Sequence, residues 1–276
     1  MKHINYSEYK IAEKINISET KTFEDFGATK DELKDELDAT RIKLGKLQDT
    51  IYAHGKYAVL VCLQGMDTSG KDSLIREVFK DFNARGVIVH SFKVPTEKEL
   101  KHDYLWRHYI ALPARGKFGV FNRTHYENVL VTRVHPEYIL GEHLPDVNKL
   151  DEINDEFWDK RFEQIVNFER TVAQNGTLIF KFFLNISKDE QKYRLLRRLN
   201  KKSKNWKFSP ADLKERKLWD GYMQCYEDVI NRTSTSFAPW YNIPADSKPA
   251  ARLLVASILW NELEKYKDIK EPELDV

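Results

Sequence analysis

The sequence predicts an α/β fold in which a parallel β-sheet is sandwiched between helices. Short apolar runs alternate along the chain with longer segments whose apolar residues recur at helical spacing. The runs are apolar almost throughout, which indicates strands that are buried on both faces of a parallel sheet. The first run leads directly into a G-x-x-x-x-G-K motif from Gly65 to Lys71. A buried strand, such a loop and a following helix together are typical of phosphate-binding folds.

The length of the chain, 276 residues, and the absence of an internal repeat predict a single domain. We expect an N-terminal extension and helix (1–55), a core (56–186 and 237–268) and a helical lid (187–236). Residues 1–28 show no periodicity and are expected to wrap the surface, and a helix over 29–53 begins with a capping box of Thr29 and Glu32. Strands are expected over residues 57–63, 87–92, 118–121, 177–184 and 240–243. Further helices are expected over residues 71–84, 97–112, 154–174, 211–232 and 247–266, with another starting at 188 before a loop at 203–210.

Composition and charge exclude several classes of protein. The formal net charge of +2 argues against a general DNA-binding surface, although residues 188–217 carry twelve Lys or Arg against four Asp or Glu. No apolar run approaches the ~20 residues of a membrane-spanning helix, and the N-terminus lacks the apolar core of a signal peptide. Cys62 and Cys225 have no metal-binding spacing and are expected to be buried thiols. A cytoplasmic location fits these features.

The phosphate-loop motif predicts an anion site that also holds a metal ion. Backbone N–H groups, the N-terminus of the next helix and the charge of Lys71 would surround a phosphate. The residue after the lysine is Asp72 instead of the usual Ser or Thr, and Asp67 lies inside the loop. Carboxylates beside phosphates need a cation between them, so we expect Mg²⁺, with Mn²⁺ as the alternative, at Asp67. The predicted phosphate- and nucleotide-binding residues of the loop are Gly65, Met66, Thr68, Ser69, Gly70, Asp72 and Ser73. The alternative is an ordinary glycine-containing turn with a solvated lysine.

A second candidate site follows the strand expected at 118–121. Asn122 stands where phosphate-loop folds usually have an aspartate, and Glu127 lies one helical turn further on. Arg123 at a strand end is suited to a bidentate phosphate contact, although a structural ion pair with Glu127 is the alternative. His125 is expected to be a satisfied, partly buried histidine and not a catalyst. The phosphate loop, the loop at Pro95 and this turn are expected to meet, because ligands bind at the carboxyl ends of parallel strands.

Basic residues elsewhere suggest a track for a longer anion. Five are expected to flank the same edge of the sheet: Lys93, Arg107, Arg115, Lys117 and Arg133. In the basic segment, Arg194, Arg197 and Arg198 recur at helical spacing, and Trp206 and Phe208 interrupt the loop. This segment follows the fourth strand, where kinases of small substrates keep an arginine-bearing lid. The alternative is a solvated helical face.

Seven stretches together resemble the family-2 polyphosphate kinases. They are GMDTSGKDS (65–73), YLWR (104–107), FNRTHYENVLV (121–131), HPEY (135–138), KFFLNIS (181–187), NWKFSPADLKER (205–216) and APWYNIPAD (238–246). The resemblance runs from about residue 30 to 265 in consistent order. It implies a thymidylate-kinase-like phosphate-loop fold with a helical lid, and Mg²⁺-dependent, reversible phosphoryl transfer between inorganic polyphosphate and nucleotides.

The resemblance also implies roles for individual residues. Asp67 would organise metal and acceptor phosphate, Lys71 would be the phosphate-loop lysine and Arg123 the second-motif arginine. The matching lid residues are Arg194, Arg198, Lys207 and Arg216. Some members have Asp at the place of Asn122. The chain looks most like the branch that accepts nucleoside mono- and diphosphates, which implies ADP as an acceptor, with AMP, GDP and GMP as further ones. Family analogy suggests a dimer or tetramer.

Two other functions fit the motifs less well. A nucleoside monophosphate kinase that uses ATP shares the fold and lid, but it needs no long basic track. A non-enzymatic protein that binds polyanions or RNA would use the basic segment 188–217 and would not depend on Lys71.

Overall fold

The computed structural model describes residues 4–200, 205 and 210–273, and its centre is one six-stranded sheet. The strands are β1 (Lys10–Ile11), β2 (Ala58–Gln64), β3 (Val87–Ser91), β4 (Phe118–Asn122), β5 (Thr177–Asn185) and β6 (Trp240–Pro244). Their order is β1-β6-β5-β2-β4-β3, and every pair is parallel except β1 with β6. The predicted α/β fold is confirmed. The antiparallel β1 corrects the expectation that residues 1–28 only wrap the surface.

Helices cover both faces of this sheet. They are α1 (Lys30–His54), α2 (Lys71–Val78), α3 (Glu97–Leu100), α4 (Trp106–Tyr109), α5 (Glu127–Val134), α6 (Glu137–Leu140), α7 (Asp155–Gln174), α8 (Lys188–Asn200), α9 (Pro210–Lys217), α10 (Trp219–Thr233) and α11 (Lys248–Leu263). Alternate residues of β2 contribute to two separate apolar clusters, with Val61 in one and Cys62 in the other. All seven residues of β2 are buried, as a central strand of a parallel sheet requires. Cys62 and Cys225 are both free and buried, as predicted.

The ends of α1 lie close to the predicted ones, because the residues that cap both ends of this helix can be recognised in the sequence. The side chain of Thr29 accepts a hydrogen bond from the backbone N–H of Glu32, whose carboxylate accepts from the backbone N–H of Thr29. Gly55 ends the helix in the left-handed conformation with φ 67°.

Three predicted helices were wrong in extent. The helix after the phosphate loop ends at Val78 instead of residue 84, because Phe79 and Phe82 turn into the core, where Phe82 packs on Phe118. The helix predicted at 97–112 splits into α3 and α4, where the side chain of Asp103 accepts from a backbone N–H two residues on. The helix predicted at 211–232 is two helices, α9 and α10. Helix α5 was not predicted.

The sheet brings the predicted loops to one edge but leaves two predicted residues at the other. The phosphate loop follows β2, the loop containing Pro95 follows β3, and the turn at Arg123 follows β4. Because these strands are parallel, the three connections share the carboxyl edge, as expected. Arg115 and Lys117 precede β4 and therefore lie at the amino edge, where Arg115 Nη2 donates to the backbone oxygen of Asn175 at 3.3 Å. Their predicted placement beside the phosphate loop is wrong.

In the part of the chain that the structure describes, no helix combines the length and hydropathy needed to cross a bilayer.

Candidate active site

The phosphate loop joins β2 to α2 through backbone conformations that few residues adopt. Gly65 has φ 148° and Gly70 has φ 115°. At Gly65 a side chain is excluded, because a Cβ there would lie 2.7 Å from the backbone oxygen of Leu184. Thr68 also has a positive φ, 67°, a costly conformation for a non-glycine residue that is typical of functional sites. The loop is thus held in a defined and partly strained shape.

Lys71 is the buried cation of the loop. Its Nζ donates to the backbone oxygen of Gly65 at 2.5 Å and to the backbone oxygen of Met66 at 3.4 Å. Burial, with the nearby charge of Arg123, lowers the pKa of Lys71 to about 8. The lysine is therefore charged at neutral pH, and an anion bound beside it would raise its pKa.

Arg123 links the turn after β4 to the phosphate loop. Its Nη2 donates to Asp67 Oδ1 at 2.7 Å, and its Nη1 donates to Glu127 Oε2 at 3.2 Å. The charge of Glu127 raises the pKa of Arg123 above its usual range, although burial by itself would lower it. The ion pair with Glu127 that was the alternative interpretation is therefore present. It does not remove Arg123 from the site, because the side chain stays 40% exposed and reaches the loop carboxylate.

A buried polar cluster anchors the residues next to Arg123, which itself has a positive φ of 60°. Glu169 is the centre of this cluster: it accepts from Lys181 at 2.7 Å and from the hydroxyl of Tyr126 at 2.7 Å, and it bonds His125 Nε2 at 3.0 Å. Burial alone would raise the pKa of Glu169, but Lys181 and His125 hold it below its usual value. Burial lowers the pKa of His125, so this histidine is neutral at pH 7. It is fully buried, and its Nδ1 has no hydrogen-bond partner among the described residues, which corrects the expectation of a satisfied, partly buried histidine.

Two cavities meet at the Asp67–Arg123 ion pair. The first, here called the apolar cavity, has a volume of about 720 Å³ and is lined by loop and helix residues that include Val94, Pro95, Leu100, Val131, Tyr138, Tyr222 and Tyr226. The second, here called the basic cavity, has a volume of about 950 Å³. Its basic side chains are Lys30, Lys71, Arg76, Lys93, Arg123, Arg194, Arg197, Arg198, Lys248 and Arg252. Asp67, Phe92, Lys93 and Arg123 line both cavities. Two ligands bound in these cavities would meet at this junction.

Sequence reasoning missed four basic residues of the second cavity and left Arg197 out of the predicted site. The missed residues are Lys30, Arg76, Lys248 and Arg252. One signal was available for Lys248: it begins the helix that follows a parallel strand, and such helix starts face the carboxyl edge. Arg76 and Arg252 come together only because α2 packs against α11, which the local sequence does not indicate.

The other basic residues of the predicted track separate into two groups. Lys93 lines both cavities, and Arg107 lines the apolar cavity, where it pairs with Glu99 at 3.2 Å. Arg133 lines neither of the two; it pairs with Asp228 at 2.5 Å. Only part of the predicted track therefore faces the site.

The lid residues are more tightly held than a mobile lid suggests. Arg194 is 5% exposed, and its five N–H groups all have acceptors. These are Glu190 Oε1 (2.6 Å) and the backbone oxygens of Thr68 (3.0 Å), Ser69 (2.9 Å), Ala245 (2.7 Å) and Asp246 (2.9 Å). Arg198 lines the basic cavity and bonds Asp212 at 3.1 Å. Arg216 donates to Gln191 Oε1 at 2.7 Å, and Gln191 in turn donates to the backbone oxygen of Asp67 at 3.2 Å. Lys207 lies outside the described residues.

The oxygen atoms at the edge of the loop fit a divalent cation. Asn122 Nδ2 donates to Asp72 Oδ1 at 2.9 Å, while Asn122 Oδ1 is buried without a hydrogen-bond partner among the described residues. In the described part of the chain, no group of three or more His, Cys, Asp or Glu side chains is arranged so that it could hold a metal ion by itself. Mg²⁺ needs no such cluster, since one or two carboxylates, water and substrate phosphates complete its shell. The amide oxygen of Asn122 and the carboxylates of Asp67 and Asp72 are suitable for this role.

A phosphate loop with a buried lysine and two cavities that meet at an acid–arginine pair define the class: an α/β enzyme that transfers phosphoryl groups between bound substrates. A family model described as Polyphosphate kinase 2 (PPK2) matches residues 27–271. The chain belongs to the polyphosphate kinase 2 family. The sequence-based assignment to this family, to its fold and to enzymes that transfer phosphoryl groups between polyphosphate and nucleotides is confirmed.

Individual relatives agree with this family. The chain is 47% identical over 225 residues to "ADP-polyphosphate phosphotransferase" of Rhodopseudomonas palustris, covering 82% of this chain and 77% of that one. It is 48% identical over 222 residues to "AMP/ADP-polyphosphate phosphotransferase" of Meiothermus ruber, and the match covers 80% of this chain and 78% of that one. The crystal structure of Polyphosphate Kinase 2 from Arthrobacter aurescens TC1 aligns with a TM-score of 0.90 at 33% identity, over 100% of this chain and 96% of that one.

Proposed function

We propose that this enzyme transfers the terminal phosphoryl group of inorganic polyphosphate to ADP, and also to AMP and guanine nucleotides, in a Mg²⁺-dependent and reversible reaction. The observation that carries the proposal is the junction of two chemically different cavities at Asp67 and Arg123. The names of the relatives from Rhodopseudomonas palustris and Meiothermus ruber support ADP and AMP as acceptors.

The apolar cavity suits the nucleotide. Its volume of about 720 Å³ lies in the range of small-molecule sites. Tyr138, Tyr222 and Tyr226 supply aromatic surface for a base and ribose, and Arg107 and Lys93 supply positive charge for the phosphates. The nucleotide's terminal phosphate would then point to the junction with the basic cavity.

The basic cavity suits polyphosphate. Ten Lys or Arg side chains line it, against four Asp or Glu, among the residues that the structure describes. Among the described residues, Phe92 is the one aromatic residue that lines the basic cavity, so this cavity offers little surface on which bases could stack. A linear phosphate chain without bases therefore matches its chemistry better than RNA does.

The chemistry is a direct in-line transfer. A terminal-phosphate oxygen of the nucleotide attacks the last phosphorus of the polyphosphate, the bridging P–O bond breaks, and the shortened chain leaves with the electron pair. Lys71 and Arg123 stabilise negative charge on the transferring group and the leaving oxygen, and the two cavities supply proximity. Asp67, Asp72 and Asn122 would hold Mg²⁺, which neutralises phosphate charge when bound.

The test is formation of ATP from ADP, Mg²⁺ and long-chain polyphosphate, with AMP assayed in parallel. We expect ATP from ADP and ADP from AMP, and loss of both with Lys71→Ala. Arg85→Ala is the matched control, because Arg85 is exposed and lines neither cavity. Asp67→Asn should lower kcat and weaken the dependence on Mg²⁺; full turnover in this variant would contradict its role.

The alternatives give different results in the same assay. Phosphorylation of AMP only when ATP is supplied would identify a nucleoside monophosphate kinase. Polyphosphate binding that survives Lys71→Ala, without Mg²⁺-dependent turnover, would identify a polyanion-binding protein.

A further inference from the structure

Tyr226 is a buried tyrosine at the junction of the two cavities, and its hydroxyl has no role in the transfer chemistry described above. It lies on α10, and its ring packs on Phe183 of β5, with the ring centroids 4.7 Å apart. The side chain lines the apolar cavity together with Asp67 and Arg123. Because the ring is packed in this way, the direction of its hydroxyl is fixed.

The hydroxyl of Tyr226 lies among the charged groups of the site. Burial and the charge of Glu127 raise the pKa of this hydroxyl, and the opposite charge of Arg123 lowers it by less. The backbone N–H of Gly65 donates toward the hydroxyl oxygen, and the backbone oxygen of the same glycine accepts from Lys71 Nζ at 2.5 Å. The hydroxyl and Lys71 Nζ therefore approach the same residue of the phosphate loop.

The hydroxyl can donate to a ligand without giving up a contact within the protein. Its raised pKa keeps the proton on the oxygen at neutral pH. The N–H of Gly65 uses a lone pair of that oxygen and not the proton, for which the described part of the chain supplies no acceptor. Arg123, by contrast, already donates to Asp67 and Glu127. A phosphate oxygen at the junction is an acceptor that suits the free O–H of Tyr226.

We propose that Tyr226 is a catalytic residue whose hydroxyl donates a hydrogen bond to a non-bridging oxygen of the phosphoryl group during transfer. This inference rests on the proposed function, in which Lys71 and Arg123 stabilise the same group. The new P–O bond to the nucleotide forms as the bridging P–O bond of the polyphosphate breaks, and the tyrosine keeps its proton throughout. A fixed donor at the oxygens that share the negative charge of the transition state lowers the barrier, because no protein group has to be reoriented.

Two other roles of a tyrosine suit this position less well. An acid that protonates the leaving oxygen must release its proton, and the raised pKa of Tyr226 opposes this release. A residue that only supports the phosphate loop would act through its ring and through Gly65. Loss of the hydroxyl would then change stability and substrate binding more than turnover.

The experiment removes the hydroxyl and keeps the ring. Tyr226→Phe should lower kcat for ATP formation from ADP and long-chain polyphosphate roughly ten- to a hundredfold, because one donor to a charged group in the transition state is lost. KM for ADP, KM for polyphosphate and Tm should stay close to the wild-type values. Affinity for ADP in the presence of Mg²⁺ and aluminium fluoride, which mimics the transferring phosphoryl group, should fall by a similar factor, whereas affinity for ADP alone should not change.

The matched control is Tyr241→Phe, whose kcat should equal that of the wild type. Tyr241 on β6 is also buried and also packs on a phenylalanine of β5, Phe182, with the ring centroids 5.5 Å apart. It lines neither of the two cavities.

Three outcomes would contradict the expectation. Wild-type kcat in Tyr226→Phe overturns the catalytic role of the hydroxyl while the proposed function stands. A fall in Tm with equal losses of affinity for ADP alone and for ADP with aluminium fluoride also overturns it, because the hydroxyl would then only support the phosphate loop. Absence of ATP formation from polyphosphate by the wild type would instead refute the proposed function, and the catalytic role of Tyr226 with it.

Discussion

Replacing Arg194 separates two roles for the predicted lid, because this arginine is bonded to protein and not turned to solvent. Arg194→Met would leave four backbone oxygens, two of them in the phosphate loop, without their guanidinium donors. A buried polar group without its partner costs about 1–3 kcal/mol, and loss of one side of a buried charged network costs about 3–5 kcal/mol. We expect the variant to lose about 4 kcal/mol of stability, which for a chain of this size lowers Tm by roughly 10 °C.

The assay combines thermal unfolding with the salt dependence of polyphosphate binding. If Arg194 holds the loop, Tm and kcat fall while the slope of log affinity against log salt stays the same, because no phosphate contact is lost. The matched variant is Arg197→Met on the same helix: Arg197 is exposed and lines the basic cavity. It should leave Tm nearly unchanged and make the slope shallower by about one. The opposite pattern, a stable Arg194→Met protein with a shallower slope, would refute the reasoning and make Arg194 a polyphosphate ligand.

Three further predictions concern the loop and its support. The pKa of Lys71 is about 8 in the free protein, and bound phosphates raise it, so binding of long-chain polyphosphate should take up a proton above pH 8 but not through Lys71 at pH 6.5. For the same reason, the affinity for polyphosphate should fall as the pH rises above 8. Calorimetry in buffers of different ionisation enthalpy measures the proton uptake, and equal uptake above pH 8 and at pH 6.5 would contradict this prediction. Gly65→Ala should lower the free energy of unfolding, measured by chemical denaturation, by roughly 2–4 kcal/mol, because its Cβ would lie 2.7 Å from a backbone oxygen of β5. The control is Gly221→Ala, which has open space around it and should leave the free energy of unfolding unchanged or raise it. Lys181→Met leaves the carboxylate of Glu169 buried beside an apolar group and should lower the free energy of unfolding by about 3–5 kcal/mol. Adding Glu169→Gln removes the buried charge and should restore part of the lost stability. If the double variant is no more stable than Lys181→Met, the unpaired buried charge is not the cause of the loss.

The sequence predicted those parts of the site that depend on local pattern. The strand before Gly65, the loop and the cap of α1 at Thr29 follow from a few neighbouring residues, and the structure has them at nearly the same positions. The misplacement of Arg115 and Lys117 was avoidable, because residues that precede a parallel strand lie at the edge opposite its end.

Other features depend on contacts between distant segments. Helical spacing placed Arg194 on a face of α8, but the spacing is the same for a residue that binds substrate and for one that bonds the phosphate loop. Arg252 is 176 positions from Arg76 in the numbering of the chain, and only the packing of α11 on α2 brings both to one cavity. The pairing of β1 with β6 rests on two residues, too few for a periodic signal.

The contacts of α8 with the phosphate loop have a mechanical consequence. Arg194 bonds the backbone at Thr68 and Ser69, and Gln191 bonds it at Asp67, so three successive loop residues are attached to one helix. We therefore expect the first half of α8 to move together with the phosphate loop, so that a closing movement of the lid would pivot beyond Arg194. Arg216 on α9, which bonds Gln191, can then change turnover by shifting the loop. Attempts to alter substrate preference should include this linkage as well as the walls of the two cavities.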